Sequence, residues 1–152
     1  MKKELKVSAI KNGTVIDHIR PGKALEVVRL LNLENYEDSV TVAMSVRSSL
    51  HKTKDIVKIE NRELSEDEVN EIALIAPEST INIIKDYEVV EKRKIELPDV
   101  IKGILTCMNP NCISRKEGSS KFIVEKREPV VLRCYYCERL MEEGEILKRL
   151  RI

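Results

Sequence analysis

The sequence predicts an α+β protein with two parts: an N-terminal ferredoxin-like split βαβ sandwich over residues 1–97 and a small all-β domain over 98–152. Three observations support this division. Strand and helix patterns in the first part follow the order strand, helix, strand, strand, helix, strand, which is the split βαβ order. Charged residues dominate 91–96 and Pro98 follows, which indicates a boundary near 95–100. All four cysteines of the chain lie beyond that boundary.

The strands of the N-terminal part are predicted from apolar–polar alternation and from β-branched runs. A turn is predicted at Asn12–Gly13, a polar loop at 48–53 and a short connection at Lys85–Asp86. The last predicted strand is a hairpin partner of the one before it. The predicted strands cover residues 4–10, 14–19, 39–47, 55–60, 80–84 and 87–90.

Two helices are predicted between these strands. The first opens at Pro21–Gly22, with Pro21 in its first turn. The second begins with a capping box, in which Ser65 is the cap and Glu68 lies three residues further on, and Pro77 ends it. Helical spacing predicts one buried apolar face on each: Ala24, Leu25, Val28 and Leu31 on the first, and Val69, Ile72, Ala73 and Ala76 on the second.

The C-terminal part is predicted as short strands at 104–106, 121–126, 130–133 and 145–147. A segment of about 50 residues buries too little apolar surface to be secure by itself, so a stabilising metal is expected to link its parts. We therefore expect folding of this part to depend on such a link.

The cysteines form two close pairs, Cys107-x4-Cys112 and Cys134-x2-Cys137, separated by 21 residues. This layout is typical of a tetrahedral zinc site with four thiolate ligands. The spacing predicts one structural Zn²⁺ per chain. A catalytic zinc would keep a position open for water, usually with His among three protein ligands, whereas His18 and His51 lie far upstream.

Disulfides, a redox pair at Cys134–Cys137 and an iron site are the alternative interpretations of the cysteines. The residues Met1–Glu4 run into a strand pattern with no signal peptide, and no apolar run approaches the roughly 20 residues that cross a bilayer. The expected location is therefore the cytoplasm, where thiols stay reduced and paired cysteines more often bind metal. A redox pair would leave Cys107 and Cys112 unexplained.

Composition excludes a strongly basic protein, because the net charge of the chain is +1. Charge is unevenly divided: residues 101–152 carry 11 Lys/Arg against 7 Asp/Glu, or +4, and the rest carries −3. The basic C-terminal part leaves a zinc-ribbon nucleic-acid-binding protein as an alternative function. A clustered basic face, which such binding usually needs, is missing from the sequence.

A catalytic arrangement is not found. The five glycines are scattered, so there is no phosphate-binding glycine loop. Asp17 and His18 are adjacent in a predicted strand, and alternation would point them to opposite faces. Four lysines would form an anion site if their strands were neighbours, although each alone is typical of a solvated surface: Lys54, Lys58, Lys85 and Lys92.

Several segments in order along the chain resemble one family, the regulatory chains of aspartate carbamoyltransferase. The segments are 12–19 (NGTVIDHI), 54–61 (KDIVKIEN), 64–67 (LSED), 87–90 (YEVV), the first cysteine pair with Asn109, Asn111, Ile113 and Ser114, and the second with Tyr136 and Glu138. The resemblance spans nearly the whole length.

The resemblance implies a non-catalytic allosteric subunit in pyrimidine biosynthesis. Family members carry an N-terminal domain that binds the nucleotides CTP and UTP as inhibitors and ATP as an activator. Their C-terminal zinc domain contacts the catalytic chain, and regulatory homodimers link catalytic trimers in a heterododecamer. Neither nucleic acid nor membrane is an expected partner.

The resemblance also implies which residues bind the nucleotide. Backbone groups near Ile10, Tyr87 and Val89 would contact the base, Asp17 the ribose, and Lys58, Lys92 and His18 the ribose and phosphates. The full implied set is Ala9, Ile10, Asp17, His18, Lys58, Asn82, Ile84, Tyr87, Val89 and Lys92.

Overall fold

Two separate antiparallel sheets make up the computed structural model, which describes residues 9–49 and 52–150. The chain divides into two units. The first ends at Glu96 and the second begins at Leu97, and each unit contains one sheet. The four α-helices of the described residues have between 5 and 10 residues, and none has the length and apolarity needed to cross a bilayer.

The N-terminal sheet has five strands in the order β2-β3-β1-β4-β5. The first four strands in this order, with a helix after β1 and another after β3, reproduce the ferredoxin-like arrangement, and β5 adds a hairpin at the edge. The predicted α+β fold class is confirmed. The elements are β1 (Gly13–Ile19), α1 (Ala24–Leu30), β2 (Val40–Ser49), β3 (Lys52–Glu60), α2 (Glu66–Ile75), β4 (Thr80–Lys85) and β5 (Glu88–Lys94), with a 3₁₀ turn at Leu33–Asn35.

The helices cover one face of this sheet. The capping box of α2 is confirmed: Glu68 N donates to Ser65 Oγ at 3.1 Å, and Ser65 N donates to Glu68 Oε1 at 2.9 Å. The apolar face predicted for α2 is buried, as are the strand residues opposite it. Each large side chain removed from water contributes about 1.5–3 kcal/mol. The core between the sheet and the helices includes six residues at 0% exposure: Ile16, Ile19, Val57 and Ile59 from the strands, and Ile72 and Ala73 from α2.

Strand β3 is flanked by two β-bulges. Asp17 and His18 of β1 lie opposite one residue of β3, and Met44 and Ser45 of β2 do the same on the other side. The second residue of each bulge has a left-handed backbone, with φ of 58° at His18 and 59° at Ser45. One extra residue on each neighbouring strand therefore interrupts the regular alternation of side chains beside Asp55.

The side chain of Asp55 is completely buried between these bulges. Its Oδ1 accepts from Ser45 N at 2.9 Å, and its Oδ2 accepts from Gly22 N at 2.9 Å and Ala24 N at 3.2 Å. A buried carboxylate needs such donors, because an unpaired buried charge is strongly destabilising. Asp55 thus connects β2, β3 and the start of α1.

Several predictions for the N-terminal unit are corrected. Helix α1 begins at Ala24 with Lys23 as its cap, so Pro21 precedes its first turn, and Leu25 is 47% exposed. The buried residues are instead Ala24, Val27 and Leu31. Asp55 accepts from the Ala24 amide and fixes the start of the helix there, three residues after Pro21. The polar loop at 48–53 is shorter, because Ser49 already pairs with Lys52.

The predicted strand at 4–10 falls largely outside the described residues, and its last two residues, Ala9 and Ile10, are not in a strand. Tyr87 lies in the turn between β4 and β5, not in a strand. Asp86 and Tyr87 both have positive φ, 51° and 69°, which is the backbone of a two-residue type I′ hairpin turn.

The C-terminal sheet has the order β6-β7-β8-β9, with two short helices. Its elements are β6 (Val100–Lys102), α3 (Ile113–Glu117), β7 (Lys121–Arg127), β8 (Val130–Cys134), β9 (Leu140–Met141) and α4 (Glu143–Arg149). The strands predicted at 121–126 and 130–133 are confirmed. The prediction at 104–106 is wrong, since β6 ends at Lys102. Residues 145–147 are helical, because Glu142 and Glu145 form a capping box.

The core of this unit is small and contains the only phenylalanine of the chain. Phe122 is fully buried and lies opposite Cys134 in the pairing of β7 with β8. The other side chains of this core with 2% exposure or less are Ile101, Leu105, Leu132, Met141 and Ile146, besides three of the four cysteines. The cysteines therefore belong to the core.

Candidate functional site

The first cysteine pair is shaped by a loop that leads into α3. Cys112 N donates to Asn109 O at 3.0 Å, and Asn111 N donates to Asn109 Oδ1 at 3.0 Å. Cys112 is the cap residue of α3, and Arg115 Nε donates to Cys107 O at 2.9 Å. These contacts determine the directions in which both cysteine side chains leave the loop.

The second cysteine pair lies in the turn after β8. Cys134 is the last residue of that strand, and its N–H donates to Arg139 O at 2.9 Å. Glu138 N donates back to Cys134 O at 2.9 Å, and Glu138 has a left-handed φ of 65°. The chain therefore reverses tightly enough to bring Cys134 and Cys137 to the same side.

The four sulfur atoms lie within 4.8 Å of one another. Cys107 Sγ is 3.6 Å from Cys137 Sγ, and Cys112 Sγ is 3.6 Å from Cys134 Sγ. A disulfide has an S–S length of about 2.05 Å, and all four cysteines are free. Ligands at about 2.3 Å from a tetrahedral metal would be about 3.8 Å apart. The cluster fits a four-thiolate metal site.

Burial of this cluster disfavours free thiolates. It raises the pKa of Cys107 to about 12. At Cys112 the hydrogen bond from the Ser114 side chain lowers the pKa of the thiol by more than burial raises it, and the pKa is about 7. A divalent cation would offset the remaining cost of four buried negative charges, so metal binding and loss of the thiol protons are coupled.

The open face of the N-terminal sheet brings most of the other predicted residues together. Residues paired directly across antiparallel strands project to the same face. One row across the sheet contains Lys58, Val15, Asn82 and Lys92, from β3, β1, β4 and β5. A row beside it contains Asp17, Thr80 and Lys94. Arg93 projects to the helical face, where it forms an ion pair with Glu66 of α2.

The bulge in β1 places Asp17 and His18 side by side, which corrects the expectation that they face opposite ways. His18 Nδ1 is 3.9 Å from Asp17 Oδ2 and 3.4 Å from Thr80 Oγ1. Asp17 also forms an ion pair with Lys54, whose Nζ is 3.0 Å from Oδ1. Carboxylate, imidazole and two lysines of β3 therefore lie near one another on this face.

Lys58 is partly buried in the sheet. Burial lowers the pKa of its ammonium group, and the Asp17 carboxylate acts in the opposite direction. A partly desolvated ammonium gains more from an added anion than a fully hydrated one does. Among the lysines of the open face, Lys58 is thus especially suited to contact a phosphate.

The remaining predicted residues lie toward the turn between β4 and β5. Ile84 pairs with Val89, and Tyr87 follows in the turn. Tyr87 N donates to Lys11 O at 2.9 Å, which brings the segment of Ala9 and Ile10 to this end. The Tyr87 amide is therefore paired within the chain, and the expected contact with a base falls to other backbone groups near it. The exposed ring of Tyr87 and the exposed side chain of Val89 remain accessible.

Three residues of this face lie outside the nucleotide-binding set that the family resemblance implies, although Lys54 is one of the four lysines considered for an anion site. Lys54 and Lys94 have the same strand alternation as Lys58 and Lys92, and that signal identifies both. Thr80 has no such signal, because only the bulge brings His18 beside it. Lys85 is excluded: it follows Ile84 in β4 and so projects to the other face.

Two family models together match nearly the whole chain. Residues 5–96 match the allosteric domain of the aspartate carbamoyltransferase regulatory chain, and residues 99–147 match its metal binding domain. The chain belongs to the aspartate carbamoyltransferase regulatory chain family. Its open-face lysines lie in the allosteric domain and its four cysteines in the metal-binding domain. Like the family, it is a regulatory and non-catalytic chain.

Curated regulatory chains of this family are similar over their full length. The chain is 59% identical to that of Pyrococcus abyssi over 150 residues, which cover 97% of this chain and 99% of the relative. It is 56% identical to that of Methanothermobacter thermautotrophicus, with 96% of each covered, and 51% identical to that of Thermococcus kodakarensis, with 99% and 100% covered.

Proposed function

We propose that this regulatory chain binds the nucleotides CTP, UTP and ATP on the open face of its N-terminal sheet and transmits their binding to aspartate carbamoyltransferase. The observation that carries the proposal is the row of Lys58, Asn82 and Lys92 across three strands, with Asp17 and His18 in the bulge beside it. CTP and UTP are the inhibitors and ATP the activator. The pathway is pyrimidine biosynthesis.

The chemistry of the open face suits a nucleoside triphosphate. Lys58 and Lys92 would contact the phosphates and ribose, with Lys54 and His18 adding positive charge and hydrogen-bond donors. Asp17 can accept from ribose hydroxyls. Backbone carbonyls near Ile10, Tyr87 and Val89, with Ala9 and Ile84, would surround the base. Lysines are flexible point charges, which suits a site that accepts more than one nucleotide.

Asp17 would change partners when a nucleotide binds. In the free chain its carboxylate forms an ion pair with Lys54. A triphosphate would attract the Lys54 ammonium, and a ribose hydroxyl would take its place on Asp17. A nucleotide can shift the assembly only if it binds one quaternary state better than the other, and such coupling is typically about 1–3 kcal/mol.

The metal of the C-terminal domain is proposed to be one structural Zn²⁺ per chain, with Cys107, Cys112, Cys134 and Cys137 as ligands. Four sulfur donors close the coordination shell, which suits a structural and not a catalytic ion. The metal would hold the two cysteine turns together and take no part in the reaction.

The metal-binding domain is proposed to contact the catalytic chain. Side chains around the cysteine turns are apolar and unusually exposed for their type, and aromatic residues of this kind are enriched at interfaces. The rings of Tyr135 and Tyr136 are 5.2 Å apart and perpendicular, and Lys121 Nζ lies 4.0 Å from the centre of the Tyr135 ring. The exposed set is Ile113 (53%), Tyr135 (51%), Tyr136 (44%) and Leu140 (51%).

A second regulatory chain is the other proposed partner, in a homodimer that links two catalytic trimers in a heterododecamer. Strand β2 is at the edge of the N-terminal sheet and exposes Val42 and Met44, and its outer edge pairs with no other strand among residues 9–49 and 52–150. We place the protein in the cytoplasm, where four thiols stay reduced. Neither nucleic acid nor a membrane is a proposed partner.

Calorimetric titration of the metal-loaded chain with CTP, UTP and ATP tests the nucleotide site. Lys92→Ala removes a charged donor and should weaken binding about 10- to 100-fold, since such a bond contributes about 1.5–3 kcal/mol. Arg93→Ala is the matched control, because it removes a charge from the next residue on the opposite face. Equal affinity of the two variants would contradict the assignment of this face.

Activity curves of a catalytic trimer, recorded with and without the metal-loaded chain, test the wider proposal. We expect a larger complex whose activity falls with CTP and rises with ATP. Absence of both a complex and a nucleotide effect would overturn the regulatory role.

A further inference from the structure

Ser114 is a buried hydroxyl beside the metal centre. It is the second residue of α3, has 4% exposure, and lies two residues after the cap residue Cys112. Its Oγ is 3.1 Å from Cys112 Sγ, within hydrogen-bond distance for sulfur. A serine at this depth loses its bonds to water, so its hydroxyl needs a partner inside the protein.

The direction of this hydrogen bond follows from metal ligation. A cysteine that binds a metal does so as a thiolate and carries no proton on sulfur. The hydroxyl of Ser114 is then the donor and the Cys112 sulfur the acceptor. Hydrogen bonds to an ionised acceptor are about twice as strong as neutral ones.

Helix α3 supports both ligands of the first cysteine pair. While Ser114 contacts the sulfur of Cys112, the next residue, Arg115, donates from Nε to the backbone carbonyl of Cys107 at 2.9 Å. Two consecutive residues therefore fix one ligand by its side chain and the other by its backbone.

We propose that Ser114 is a positioning residue of the metal centre, whose hydroxyl orients the Cys112 thiolate and slows loss of the metal. The inference rests on the metal centre proposed above. Groups that hydrogen-bond to a metal ligand typically contribute about 10- to 100-fold to metal affinity. Ser114→Ala removes the donor and leaves one buried thiolate with fewer hydrogen bonds.

The test uses the full chain loaded with Zn²⁺ and, in parallel, with Co²⁺. Ser114→Ala should lose zinc to excess chelator about 10- to 100-fold faster than the unchanged chain. Its Co²⁺ form should show a sulfur-to-cobalt charge-transfer band at lower energy, because the thiolate has lost a donor. Ser114→Thr keeps the hydroxyl and should restore both properties. Ser119→Ala changes an exposed serine two residues after the end of α3 and should change neither.

Three results would overturn the proposal. Equal zinc loss from Ser114→Ala and the unchanged chain would show that the hydroxyl has no effect on the metal. Fast loss from a folded Ser114→Thr would assign the effect to packing. An unchanged chain that binds neither metal would overturn the metal centre itself, and with it this inference.

Discussion

Ser45 and Asp55, ten residues apart and on adjacent strands, are joined by a hydrogen bond of 2.9 Å from the Ser45 amide to Asp55 Oδ1. The other carboxylate oxygen accepts from the two amides, Gly22 and Ala24, at the start of α1. One buried side chain thus connects the bulge of the edge strand with the segment that follows the bulge of Asp17 and His18. The open face of the sheet and the edge strand β2 therefore depend on the same buried carboxylate.

Asp55→Ala should destabilise the N-terminal unit by about 3 kcal/mol or more, because three amides lose their acceptor and each such loss costs about 1–3 kcal/mol. Native-state hydrogen exchange would measure the free energy of unfolding and identify the Gly22, Ala24 and Ser45 amides as newly exchanging. Asp38→Ala, at an exposed carboxylate of the same unit, is the control and should change it by less than about 0.5 kcal/mol. Similar losses in both variants would contradict the role of Asp55.

Ser65→Ala should cost about 1 kcal/mol of stability, because it removes the acceptor of the Glu68 amide in the capping box of α2. Urea unfolding of the full chain would measure the change. Ser39→Ala, at an exposed serine before β2, is the matched substitution and should have almost no effect. A loss at Ser39 equal to that at Ser65 would argue against the cap.

As pH rises, nucleotide affinity should begin to fall at a lower pH than it would if Lys58 had the pKa of an ordinary lysine. In the proposed site the phosphates would bind the protonated form of Lys58. Its contribution to affinity would be complete below the pKa of Lys58 in the free chain and would begin to be lost as pH rises through that value. Since burial lowers this pKa, the loss should begin below the usual value of about 10.4. CTP titrations between pH 7 and pH 10 would measure it.

Lys58→Arg supplies the control for this pH effect, because an arginine stays protonated throughout that range. Its CTP affinity should vary less with pH than that of the unchanged chain. Parallel pH profiles for the two proteins would remove Lys58 from the explanation.

Removal of the metal should unfold the C-terminal unit and leave the N-terminal unit folded. The cysteines form part of a small core around Phe122. Without a cation, no bond links the two cysteine pairs across this core. Hydrogen exchange after chelation should show lost protection in 97–150 and retained protection in 9–49 and 52–96. Added Zn²⁺ should restore it, and protection that survives chelation in both units would contradict the prediction.

The order of elements in the N-terminal unit and the clustering of the four cysteines could be predicted from the sequence, because both depend on local patterns. Strict alternation indicated β2, β-branched residues indicated β1, and the spacing of Cys107, Cys112, Cys134 and Cys137 indicated the cluster. The capping box at Ser65 was equally local.

The bulges could not be predicted, because each depends on a partner distant in sequence. Nothing near His18 indicates that Asp55 will place the chain after it, so the juxtaposition of Asp17 and His18 was missed. The helical fate of 145–147 was missed for a different reason. Over only three residues, the apolar spacing of a β-strand cannot be told from that of one turn of a helix.

The bulge in β1 places residues of the proposed nucleotide site between residues of the hydrophobic core. Ile16 and Ile19 on either side of it are completely buried, whereas the one extra residue leaves Asp17 half-buried and His18 exposed between them. At the nucleotide site proposed for this face, substitutions of Asp17 and His18 should therefore change effector affinity while the hydrophobic interior stays as it is. For protein engineering, Asp17 and His18 are therefore positions at which the open face can be varied without altering the core.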